Sequence, residues 1–80
     1  MTRDLSAVGA LGVLTVRTRG KDGPGEVQVS IRGATENLIA WSDEPMEKGA
    51  RVLVVDVRGS RTVDVVPSDM LFAPDGRIFD

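Results

Sequence analysis

The stretch from Met46 to Pro67 limits the possible folds more than any other part of the chain. It opens with Glu47-Lys48-Gly49 and runs on as Arg51-Val52-Leu53-Val54-Val55-Asp56-Val57-Arg58. Gly59-Ser60 follows, and then Arg61-Thr62-Val63-Asp64-Val65-Val66-Pro67. Valine carries two heavy atoms on Cβ, which stiffens χ1 and favours a pleated strand over a helix. A glycine-first pair between two such runs predicts a two-residue hairpin loop of type II′. The stretch is therefore a β-ribbon with strands over 51–58 and 61–67. The first strand is apolar on both faces. That suits a central strand, or one bent by a bulge so that it serves two sides of a barrel.

Three more strands precede the ribbon. In Leu11 to Arg19, period-2 alternation puts Leu14, Val16 and Thr18 on one face. Gly20 to Gly25 holds three glycines and a proline and must be a loop. Glu26 to Arg32 alternates cleanly, with Val27, Val29 and Ile31 inward and polar residues outward. Gly33 to Glu36 is expected to turn the chain. Asn37 to Ser42 forms the third strand, with Leu38 and Ala40 on one face and Ile39 and Trp41 on the other. Asp43 to Gly49 connects, with room for one helical turn at Pro45 to Lys48 and no more. The expected core is Val16, Val27, Val29, Ile31, Leu38, Val52, Val54, Val63 and Val65.

Five short strands, tight turns and no long helix predict an all-β fold, a small five-stranded OB-like Greek-key barrel. Closure removes the free edges that would let valine-rich strands aggregate. Residues 1–10 are a lead-in, 11–67 the barrel, and 68–80 a C-terminal tail or short edge element carrying Met70, Leu71, Phe72, Ile78 and Phe79. A chain of 80 residues buries roughly 60% of its unfolded surface, enough for one thin core and too little for a deep enclosed active site.

The chemistry open to the chain is narrow. It has no histidine and no cysteine, so the commonest general base, the commonest zinc ligands, thiolate sites and disulfides are all excluded. Its serines therefore lack an activating base. Asp43, Glu44, Glu47, Asp56 and Asp64 offer carboxylates, but Asp56 and Asp64 face each other across the hairpin beside Arg58 and Arg61, as ordinary cross-strand charge pairs do. Asp43-Glu44 with Glu47 lacks the spacing of a calcium loop. No catalytic residue, cofactor or metal is expected. A lipoyl or biotinyl module would need a lysine at a hairpin tip, and Gly59-Ser60 supplies none.

The net charge of −2 opposes a phosphate-backbone partner. A single-stranded nucleic-acid module is the alternative that an OB-like barrel raises, with Arg17, Arg19 and Lys21 near Arg32 as its basic patch. The strands offer one aromatic platform, Trp41, where such modules use several. The longest uncharged run, Leu5 to Val16, is twelve residues, short of the ~20 that a spanning helix needs.

Several segments together resemble the C-terminal soluble domain of the NfeD family. They are Gly12-Val13-Leu14-Thr15-Val16, Gly25-Glu26-Val27-Gln28-Val29, Ala40-Trp41-Ser42, and Glu47 to Gly59 with its Gly-x-x-Val-x-Val pattern. The resemblance covers about residues 9 to 67. It implies an OB-like barrel that works as a non-catalytic interaction and assembly domain. It further implies stomatin- or flotillin-like membrane scaffold partners, a role in membrane organisation or quality control, and a place on the cytoplasmic face of a bacterial membrane. The anchor would be a membrane segment absent from this chain. Ile39 and Trp41, on the strand face opposite Leu38 and Ala40, are the expected partner-binding residues, for another protein or for self-association. They serve unless Phe72 or Phe79 of the tail packs over them.

Overall fold

A computed structural model describes residues 7–68. Seven strands follow in chain order: β1 (Leu11–Val16), β2 (Thr18–Arg19), β3 (Gly25–Ile31), β4 (Ala34–Trp41), β5 (Pro45–Met46), β6 (Arg51–Gly59) and β7 (Thr62–Pro67), with one 3₁₀ turn at Gly20–Asp22. The five long strands close into a barrel in the order β1-β3-β4-β7-β6, and β6 pairs back onto β1. All neighbours are antiparallel except β4 and β7, which run parallel through Ile39↔Thr62, Ala40↔Val63 and Trp41↔Asp64. Among the long strands this is the first-second-third-fifth-fourth order of the OB Greek key, the fold that strand count and length predict. β2 and β5 form a separate two-stranded flap.

The interior is a valine core. Leu14, Val27, Val29, Val52, Val54, Val63 and Val65 are all essentially buried, and Leu38, Ala40 and Val57 join them. Among the described residues no buried side-chain polar atom lacks a hydrogen-bond partner. Barrel contacts begin ahead of β1. Ala7 is buried, the Gly9 amide donates to the Val54 carbonyl at 2.8 Å, and the Val54 amide donates to Ala10 at 2.9 Å.

Several expectations need correction. Val16 was expected in the core and instead lies 45% exposed. The pairing of β1 with β3 slips between Leu14 and Val16. The extra residue, Thr15, reverses the alternation and turns Val16 outward. Ile31 is half-buried and packs against the edge of the core. The turn expected over Gly33 to Glu36 is tighter and earlier: Arg32 and Gly33 both take positive φ, 54° and 80°, as a type I′ loop requires. β4 therefore starts at Ala34. The second hairpin is also displaced. Gly59 pairs with Thr62, so Ser60-Arg61 is the loop and Arg61 (φ 58°) takes the left-handed residue. Pro45 to Lys48 makes no helical turn; Pro45 and Met46 are strand β5, paired with Arg19 and Thr18.

Two glycines are set by close approach. A Cβ on Gly12 would lie 2.7 Å from the Gln28 carbonyl oxygen and 2.7 Å from a Val29 methyl. A Cβ on Gly25 would collide with the backbone carbonyls of Val16 and Arg17.

Candidate interaction surface

With the interior filled, chemistry can be presented only on the outer wall and the barrel ends. At one end the flap is locked by a buried hydroxyl. Thr18 is 1% exposed. Its Oγ1 accepts from the Met46 amide at 2.9 Å and lies 2.7 Å from Ser42 Oγ, which in turn lies 2.7 Å from the Glu44 carbonyl. One arrangement satisfies every group: Thr18 donates to Ser42, and Ser42 donates to Glu44. Ser42, last residue of the Ala40-Trp41-Ser42 segment, thus ties β4 to the flap.

Ile39 and Trp41 stand on the outer wall of β4, across the strand from the buried Leu38 and Ala40, as expected. Ile39 is 42% exposed. Trp41 is half-buried, and the guanidinium carbon of Arg58 sits 4.9 Å from its ring centre. The pairing of β6 with β7 slips between Val57 and Gly59, which leaves Arg58 as the inserted residue. The bulge aims its side chain across the wall. There its Nε donates to Asp64 Oδ1 at 2.7 Å, and Asp64 is the residue paired with Trp41 across β4–β7. Asp56 and Asp64 do oppose each other, as expected, and Asp56 Oδ1 accepts from the Val57 amide at 2.8 Å. Arg61 donates instead to the Asn37 carbonyl at 2.9 Å, helping to close the β4–β7 seam. The expected cover of Trp41 by Phe72 or Phe79 falls outside the described residues.

The supposed basic patch does not assemble. Arg17, Arg19 and Lys21 lie before β3, whereas Arg32 lies beyond its far end, roughly 20 Å away at ~3.3 Å per residue. Among the described residues no three Asp or Glu are grouped as a metal site would need.

A second apolar stretch on the outer wall was not singled out from the sequence. Leu11 pairs with Leu53 across β1–β6, and Leu53 pairs with Val66 across β6–β7, so the three form one row around the barrel. Val13 and Val55 flank it. The signal was the two-faced apolar run of β6, whose outward side chains Leu53 and Val55 are half-buried and exposed, respectively.

These features define the class: an OB-type barrel domain with a filled interior and its distinctive side chains on the outer wall. The particular family follows from sequence. Residues 11–66 match the NfeD C-terminal domain, and the chain belongs to that family. It is similar to the soluble domain of the NfeD protein YuaF from Bacillus subtilis, with 32% identity, a TM-score of 0.63, and coverage of 75% of this chain and 71% of that one. It is likewise similar to the C-terminal domain of stomatin operon partner protein 1510-C from Pyrococcus horikoshii, with 30% identity, a TM-score of 0.64, and coverage of 85% and 97%. No curated protein is significantly similar in sequence. Among the described residues no helix is long and apolar enough to cross a membrane.

Proposed function

We propose that this barrel is a non-catalytic interaction and assembly domain of an NfeD-type membrane protein, acting with a stomatin- or flotillin-like scaffold in membrane organisation or quality control. The observation that carries the reading is the likeness to the domain from the stomatin operon partner protein, at 30% identity over 97% of that domain. The buried valine core occupies the barrel interior, so the side chains available to a protein partner stand on the outer wall and the barrel ends. The contact face is the Ile39–Trp41 wall. Trp and Arg are the residue types that anchor protein interfaces most often, and here Arg58 already holds the Trp41 ring in one orientation.

The test is capture from detergent-solubilised native membranes, followed by titration of the purified barrel with the captured scaffold protein. Recovery of a stomatin- or flotillin-family protein, weakened at least about tenfold by Ile39→Glu or Trp41→Ala in a folded barrel, supports both the function and the face; one lost anchor of this type typically costs 1–2 kcal/mol or more. Equal binding by the variants moves the contact to another wall. Failure to recover any such scaffold overturns the reading.

A further inference from the structure

The geometry points to a second contact surface, on β1, β6 and β7 rather than on β4: the outer row Leu11–Leu53–Val66, widened by Val13 and Val55, packs against the same row of a second copy of this chain. Leu11 is 62% exposed, Val55 44% and Val13 43%, while Leu53 and Val66 are half-buried. Single exposed apolar side chains are ordinary on any protein. Here they occupy neighbouring positions on three hydrogen-bonded strands. The same barrel keeps the outward positions of β3 polar, at Glu26, Gln28 and Ser30, so the fold itself does not require an apolar outer wall. A contiguous patch of this kind marks a contact site.

The charges at its two ends select the occupant and the arrangement. Arg51 and Asp56, both exposed, bracket the row on β6, separated by roughly 16 Å at ~3.3 Å per residue. A second copy related by a two-fold axis across the strands runs its β6 antiparallel to the first. Leucine row then meets leucine row, and Arg51 of each copy meets Asp56 of the other. An axis along the strands would stack Arg51 on Arg51 and Asp56 on Asp56. A self-complementary face of this type is what a two-fold dimer needs. Five apolar side chains are few beside the roughly 20–30 residues a side of a stable interface. The dimer is therefore weak, with a dissociation constant between about 10 µM and 1 mM, and is populated where copies are concentrated.

Sedimentation equilibrium over a concentration series spanning about 10 µM to 1 mM, with circular dichroism to confirm folding, tests this. The expected result is concentration-dependent dimerisation. Leu11→Glu abolishes it, and Arg51→Asp or Asp56→Arg alone weakens it at least about threefold, the size expected of a rim charge pair. The doubly exchanged variant restores it. Asp56 also receives the Val57 amide, so Leu11→Glu and Arg51→Asp decide the matter if Asp56→Arg fails to fold. A wild-type chain that stays monomeric throughout overturns the proposal, as does dimerisation that survives Leu11→Glu. Because Leu11→Glu and Arg51→Asp leave Ile39, Trp41, Arg58 and Asp64 and their strand partners intact, scaffold binding by those two variants stands or falls separately.

Discussion

Arg58 holds its guanidinium carbon 4.9 Å from the centre of the Trp41 ring while its Nε donates to Asp64 at 2.7 Å. One cation therefore bridges three strands of the barrel wall. The arrangement depends on a bulge, since Arg58 is one of the two residues, with Val55, that the β6–β7 pairing skips.

The bridge is exposed, with the Arg58 side chain 51% accessible, so its contribution is modest. An exposed ion pair contributes up to about 1 kcal/mol and an exposed cation–π contact about 0.5–1 kcal/mol. Arg58→Ala should cost about 1 kcal/mol in urea denaturation and change the Trp41 fluorescence of the folded state. A double-mutant cycle with Trp41→Phe separates the two contributions. A loss above about 3 kcal/mol would show that the bridge supports the core, a role these exposed-contact magnitudes do not allow.

Gly25 and Gly59 should respond in opposite ways. Alanine at Gly25 drives a methyl into the carbonyls of Val16 and Arg17, whereas a Cβ at Gly59 meets nothing within 4 Å. Overpacking against backbone costs about 1–3 kcal/mol or more. Gly25→Ala should lower the melting temperature by many degrees or prevent folding, while Gly59→Ala stays close to wild type. Equal melting of the two variants would contradict the close approach of β3 to the Val16–Arg17 backbone.

Thr18→Val keeps the shape and removes the oxygen on which the Met46 amide and Ser42 converge. A buried group left without its partner costs about 1–3 kcal/mol. Amide exchange at Met46 should quicken more than in the core strands, because the flap loosens before the barrel opens. Thr18→Ser should retain most of the protection.

Val27→Ala and Val16→Ala give the sharpest contrast. Val27 is 0% exposed and Val16 is 45% exposed. Emptying the core position should cost about 2 kcal/mol or more, and the outward position within about 0.5 kcal/mol. Similar losses at the two positions would restore the unbroken alternation that the sequence suggests.

Much of this barrel is legible in the chain because alternation is a local property. The inward positions Val27 and Val29 of β3, Val52 and Val54 of β6, and Val63 and Val65 of β7, the Leu38/Ala40 core face of β4 and the outward placing of Ile39 and Trp41 all follow from side chains alternating across a pleated strand. The scarcity of helix-compatible stretches and the tight turns determine an all-β barrel, and the absence of histidine and cysteine removes whole classes of chemistry. Bulges and neighbours are not local. The skipped residues at Thr15, Val55 and Arg58 turned Val16 outward, brought Val57 into the core beside Val52 and Val54 where alternation puts it on the other face, and carried Arg58 across Trp41, because one inserted residue changes the face of everything near it. The Leu11–Leu53–Val66 row exists only once β1 closes against β6 and β6 against β7. The composition of β6 showed apolar residues on both faces, and closure of the barrel decided which half is core and which half remains on the outer wall.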